Sequence, residues 1–196
     1  MKRSAVAKEL SRTQKPLDVL AMFPEVAEIR DDNLRQAVIE IWQELWAMSE
    51  WSDIAAVPTS PEIPYPTLPH NQCVMRMALA VAEAFETFHK VKVNRDYLIA
   101  EAALQDASKV VEFRPGENGE AVFTERGKAF PHAFWAAHLA ANKGLPDEIC
   151  HVLLTHTPQA PKFPDTLEGK ILWYVDQLDV IAIFKDRWRK DLYITK

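Results

Sequence analysis

Apolar residues recur at three- and four-residue steps along most of the chain and alternate strictly almost nowhere. From Leu34 the run Leu34, Val38, Ile41, Trp42, Leu45 and Trp46 draws one buried stripe down a helix that Asp31 and Asp32 precede. Val74, Met77, Ala78, Val81 and Phe85 draw a second, reaching Lys90, with His70 at the helix entrance. A third stretch, Leu98–Phe113, is rich in helix formers and has Asn94 as its expected N-cap. Within it Ala102, Ala103, Leu104 and Ala107 surround a single acid, Asp106. An ionised carboxylate in an apolar setting is costly unless it is paired, hydrogen-bonded or bound to a cation, so Asp106 is expected to have a partner.

The weaker patterns fill in the rest. Pro16 is placed to open a helix reaching Ile29. Trp51 to Pro69 carries Pro58, Pro61, Pro64, Pro66 and Pro69, too many for a helix or a central strand. The apolar residues Trp51, Ile54, Val57, Ile63 and Tyr65 make this extended segment an arm packed on the body rather than a free linker. Gly116, Asn118 and Gly119 mark a charged turn, and Ala121–Phe123 is the one candidate strand. Pro131 opens a helix with Gly144 as its C′ residue, and Pro146 opens the next, Asp147–Thr155; His132 and His156 bracket this pair. After a proline-rich loop, Pro158 to Pro164, a final helix runs from Asp165 to Asp186, apolar from Ile171 to Phe184 except at Asp176, Gln177 and Asp179. The expected fold is all-α, about seven helices around one interior. Residues 1–64 form amino-terminal helices and the arm, and residues 65–196 form the main helical domain.

Composition narrows the class. In 196 residues with 48% apolar content there is material for a real core, and a net charge of −5 with scattered basic residues excludes nucleic acid and anionic membrane as expected partners. No run approaches the ~20 apolar residues of a membrane span. At the amino terminus charges return before an apolar signal core develops. Cys73 and Cys150 sit in apolar helical contexts where reduced thiols pack as small hydrophobes, so the expectation is a cytoplasmic chain without disulfides. Five glycines in total and no phosphate-binding glycine motif argue against a nucleotide-loop enzyme. Cys150 and His151 are adjacent on a helix and diverge by about 100°, a poor nucleophile–base pair.

What remains is a series of polar residues on apolar stripes. His70, the acid in Leu-Gln-Asp-Ala-Ser-Lys, His132 ahead of a helix ending Gly-Leu-Pro, His156 after Val-Leu-Leu-Thr, and Asp176 in Tyr-Val-Asp-Gln-Leu-Asp resemble, in order and spacing, the HD-domain metal-dependent phosphohydrolase superfamily. The resemblance covers residues 65–185 and implies an HD-like helical bundle. It further implies that His70, the doublet and Asp176 hold one metal, while Asp106 bridges to a second held by His132 and His156. The implied cofactor is a divalent transition metal, iron, manganese or zinc, with one tight site and a second weaker one. The implied activity is hydrolysis of a small phosphate ester or nucleotide through metal-activated water. Asp106 and Lys109 are the implied catalytic residues.

The chain departs from the pattern at one position, where Gln105-Asp106 stands in place of the His-Asp doublet. A glutamine offers only a neutral amide oxygen, a weaker ligand than imidazole, so Gln105 is either a weak metal ligand or a substrate contact. Other readings follow from the same resemblance: an iron-dependent oxygenase, a hydratase, or a degenerate member that binds a small molecule without turnover. Each single histidine also has an ordinary reading as a hydrogen-bonded core or edge residue. His89, His138 and His151 are left with it, His138 pointing away from His132 by helical spacing. Asp179, one turn from Asp176, supports the site or faces solvent. Lys109, three residues after Asp106, shares its face, as an ion pair or as a cation beside a substrate anion.

Overall fold

A computed structural model describes residues 16–61 and 63–183, and these residues are mostly helical with two small sheets. At the centre lies α4 (Arg95–Leu104), buried on every side from Leu98 to Leu104. It packs against α2 (Asp32–Ala47), α3 (Thr67–His89), α8 (Asp147–Thr155) and α9 (Leu167–Ile183). The α2 stripe is buried as the periodicity expects, with Ala37 added, and Asp31 caps the helix by accepting from the Asn33 and Leu34 amides. The Trp42 indole reaches across to donate to the Ala103 carbonyl at 2.9 Å, tying α2 to α4.

Prolines account for several departures from the expected elements. The helix expected from Pro16 to Ile29 is instead a short α1 (Val19–Met22) capped by Asp18, followed by a 3-10 turn, Pro24–Glu28. Pro24 has no N–H to give and pushes Phe23 out of the helical region, to φ −133° and ψ 81°. The proline-rich arm is not wholly irregular, because β1 (Pro58–Ser60) and β2 (Ile63–Pro66) form an antiparallel hairpin. In a two-stranded sheet each strand has a free edge, where proline loses no ladder bond. Trp51 and Val57 of this arm are buried, and the Trp51 indole donates to the Phe113 carbonyl at 2.9 Å. Tyr65 is exposed. Pro69 lies inside α3 rather than before it, in a first turn where its missing N–H costs nothing. The inward face of α3 is Val74, Met75, Ala78 and Ala82, with Met77, Val81 and Phe85 only partly buried.

The stretch Leu98–Phe113 is not one helix. It breaks into turns over residues 105–108, resumes as α5 (Lys109–Glu112), and ends at Phe113, which opens β3 (Phe113–Pro115). β3 pairs with β4 (Ala121–Phe123), the candidate strand, across a turn in which Gly119 has φ +83°. A short α6 (Glu125–Ala129), capped by Thr124, is not among the expected elements; its five residues are too few for a periodic signal. The next helix, α7 (Phe134–Asn142), starts three residues past Pro131, and Gly144 follows it at φ +75°. Pro146 opens α8 as expected. The last helix starts at Leu167, with the Thr166 hydroxyl accepting from the Gly169 amide, and is described to Ile183; Phe184 and Asp186 lie outside the described residues.

Both cysteines are free thiols, but Cys73 is exposed rather than packed, its thiol lying beside Asp179 of α9. Among the described residues no helix is long and apolar enough to cross a membrane.

Candidate metal centre

The break at residues 105–108 turns the chain so that Asp106 faces three imidazoles from three different segments. Tight bonds hold the turn, Ala107 N to Leu104 O at 3.1 Å and Lys109 N to Asp106 O at 3.0 Å. The buried Ser108 hydroxyl locks it to α7 by accepting from the Ala136 amide at 2.8 Å. One Asp106 oxygen, Oδ1, lies 3.1 Å from His132 Nε2 and 3.9 Å from His156 Nε2. The other, Oδ2, lies 3.4 Å from His70 Nε2 and 2.8 Å from Lys109 Nζ. His70 Nε2 is also 3.1 Å from Asp176 Oδ1. The structure thus brings His70, Asp106, Lys109, His132, His156 and Asp176 together, all buried except the half-buried His132. Asp106, His132 and His156 present ligand atoms within 4.8 Å of one another, a geometry that can hold a metal ion.

Each of the three histidines is held from behind at Nδ1. His70 Nδ1 faces Asp179 Oδ2 at 2.7 Å, His132 Nδ1 faces Glu112 Oε2 at 2.8 Å, and His156 Nδ1 faces the Leu153 carbonyl at 2.8 Å. An acceptor at Nδ1 keeps a proton there and turns Nε2 toward Asp106, the orientation that metal-ligating histidines are given by such partners. Asp179 is therefore a support to the site and not a solvent-facing residue. Sequence reasoning misses Glu112, although a lone acid in Val-Val-Glu-Phe carries the same signal that singles out Asp106. Glu112 also acts through its second oxygen, Oε1, which accepts from the Ala133 amide at 2.9 Å and so clamps a residue held at φ +63° directly beside His132.

Charge in this pocket is unbalanced. Among the described residues, four buried carboxylates, Asp106, Glu112, Asp176 and Asp179, surround one fixed cation, Lys109. Burial works against ionisation of Asp106, but Lys109 and the three imidazoles outweigh it and hold the carboxyl well below the usual range. Burial likewise opposes charge on His70 and His132, yet the carboxylates around them prevail. His70 is raised well above the ordinary imidazole range and His132 is pushed up to about 10. Glu112 is lowered in spite of burial, chiefly by the charge of His132. A site that draws protons onto imidazole nitrogens this strongly is one where a metal cation satisfies the same carboxylates. Oxygen and nitrogen donors in this mixture suit iron, manganese or zinc.

Gln105 occupies an unusual place. It is fully buried, next in sequence to Asp106, and neither amide atom has a hydrogen-bond partner among the described residues. His89 and His138 are exposed, and His151 Nε2 accepts from the Asp165 amide at 3.3 Å, so none of the three joins the centre.

The chain is 29% identical over 111 residues to a dihydroneopterin 2',3'-cyclic phosphate phosphodiesterase of Methanocaldococcus jannaschii, a match covering 56% of this chain and 44% of that protein. The chain thus spans less than half the length of this relative. No protein-family model matches the chain, and no solved structure matches it.

Proposed function

We propose that this chain is a metal-dependent hydrolase of small phosphate esters, built as an HD-like helical bundle over the described residues from 65 to 183 with residues 16–61 packed on it. The observation that carries the reading is the shared orientation of His70, His132 and His156, each braced at Nδ1 and turned through Nε2 toward Asp106. Similarity to a protein whose name describes cleavage of a cyclic phosphate supports the same substrate class.

In this reading Asp106, His132 and His156 hold the tighter cation, and His70, Asp106 and Asp176 hold a weaker one. A divalent metal bound there supplies Lewis acidity toward a phosphoryl oxygen and lowers the pKa of water toward neutrality. The chain's own residues do the rest. Glu112 and Asp179 keep His132 and His70 in the productive tautomer. Lys109, buried on Asp106 Oδ2, both balances that carboxylate and offers a donor to a substrate phosphate oxygen. Gln105, with its amide unengaged beside Asp106, serves the substrate rather than the metal.

The deciding experiment is hydrolysis of a small 2',3'-cyclic phosphodiester by protein loaded with iron, manganese or zinc, compared with the chelated protein. Turnover restored by metal supports the reading, and loaded protein without turnover contradicts it. Gln105→His adds an imidazole at the weaker position, so metal stoichiometry rises while turnover of the preferred substrate falls by at least about tenfold as the amide's donor and acceptor are lost.

A further inference from the structure

Two acids of α9 address the His70 ring from its two nitrogens: Asp176 Oδ1 lies 3.1 Å from Nε2, and Asp179 Oδ2 lies 2.7 Å from Nδ1. Gln177 stands between them in sequence, and its side-chain Nε2 donates to the other Asp176 oxygen, Oδ2, at 2.8 Å. A carboxylate only accepts, so the amide nitrogen, not the amide oxygen, is the atom that meets it. Side chains one residue apart on a helix diverge by about 100°, so helical spacing does not bring these two groups together. Gln177 is bent back over its neighbour.

We propose that Gln177 is a positioning residue: it occupies Oδ2 of Asp176 and so restricts this carboxylate to a single oxygen, Oδ1, for the cation beside His70.

Three observations carry this role. The imidazoles of the centre are each held at one atom and offered at another, braced at Nδ1 and turned through Nε2 toward Asp106. Asp176 is arranged in the same way, held at Oδ2 and offered at Oδ1. The donor is neutral, so Asp176 keeps its whole charge for a cation, which a lysine or arginine at this position would offset. Asp176 is buried and Gln177 half-buried, so the bond between them is partly shielded from competing water. A carboxylate free at both oxygens binds a cation through one or through both. With Oδ2 engaged only one is left, which keeps a coordination place for water or a phosphate oxygen. This role rests on the weaker cation position assigned above to His70, Asp106 and Asp176; the hydrogen bond itself does not.

Manganese titration of the metal-free full chain, with the unbound ion followed by its paramagnetic resonance signal, reads both positions without any substrate. Gln177→Met keeps the length of the side chain and removes the donor. It is expected to raise the Kd of the second equivalent about tenfold or more and to leave that of the first, held by Asp106, His132 and His156, within about twofold. Difference infrared spectra between manganese-loaded and metal-free protein give a readout that general destabilisation does not produce. A carboxylate bound through two oxygens separates its antisymmetric and symmetric stretches less than one bound through a single oxygen. Gln177→Met is expected to gain a narrowly separated pair that wild type lacks and that disappears when Asp176→Asn is added. Equal second Kd values in wild type and variant, a loss shared by both equivalents, or identical carboxylate bands overturn the positioning role, as does wild type that binds a single equivalent. Two equivalents bound by a protein that hydrolyses no phosphodiester overturn the hydrolase reading alone.

Discussion

At the scale of single residues, the centre depends on acids that never touch the space between the imidazoles. Glu112 and Asp179 each hold one ring nitrogen so that the other is turned toward Asp106, and loss of such a partner commonly weakens metal affinity by about 10–100-fold. Glu112→Gln is expected to fall in that range in a competition titration with a chromogenic chelator. An unchanged affinity would mean that His132 finds its orientation elsewhere. Glu101 gives a prediction of another kind. Its folded-state pKa is raised by burial and by the acid Glu168, so its contribution to stability is complete below the ordinary carboxylate range and is lost as pH rises through the folded value. Denaturant midpoints of wild type should therefore decline relative to Glu101→Gln as pH is raised from the ordinary carboxylate range through neutrality. Parallel midpoints across that range would show that Glu101 ionises as easily folded as unfolded.

At the scale of elements, the decisive feature is the interruption between α4 and α5. A continuous helix from Leu98 to Phe113 is what composition suggests, because local propensity contains nothing that reports on Ser108 bonding to the Ala136 amide 28 residues away. The stripe of α2 is legible in the sequence, since one face is buried and the other is wet, whereas α3 turns Met75 and Ala82 inward and leaves Met77, Val81 and Phe85 only partly buried. Short elements are not legible: α6, β1, β2 and β3 run for only three to five residues, too few for a periodic signal. The ligand-type residues themselves are legible as acids and histidines on apolar stripes, whereas the support role of Asp179 needs the geometry to separate it from exposure. Gly127 of α6 shows how tightly the supporting elements fit. A Cβ there would strike the backbone carbonyl of Glu112, which cannot move without disturbing His132 and Ala133. Gly127→Ala should cost about 1–3 kcal/mol in stability and also weaken metal binding. A stable variant with full affinity would show that α6 yields without passing the strain to Glu112.

At the scale of the whole molecule, folding and metal binding are expected to be linked, because the proposed ligands come from α3, the break after α4, the segment before α7, the end of α8, and α9. Only the folded chain assembles them. A metal present at a hundred times its Kd adds about 2.7 kcal/mol, which for a chain of this size raises Tm by roughly 5–10 °C. Asp106→Ala removes the carboxylate on which all three imidazoles converge and should abolish the shift, whereas Lys109→Ala should keep it and alter substrate affinity instead. The most direct measurement is elemental analysis of wild type and Asp106→Ala after reconstitution with iron, manganese or zinc and removal of loose metal. Wild type is expected to retain about one tightly bound equivalent and the variant less than about a tenth. Equal retention in both proteins, or none in wild type, would contradict a metal centre built on Asp106, His132 and His156.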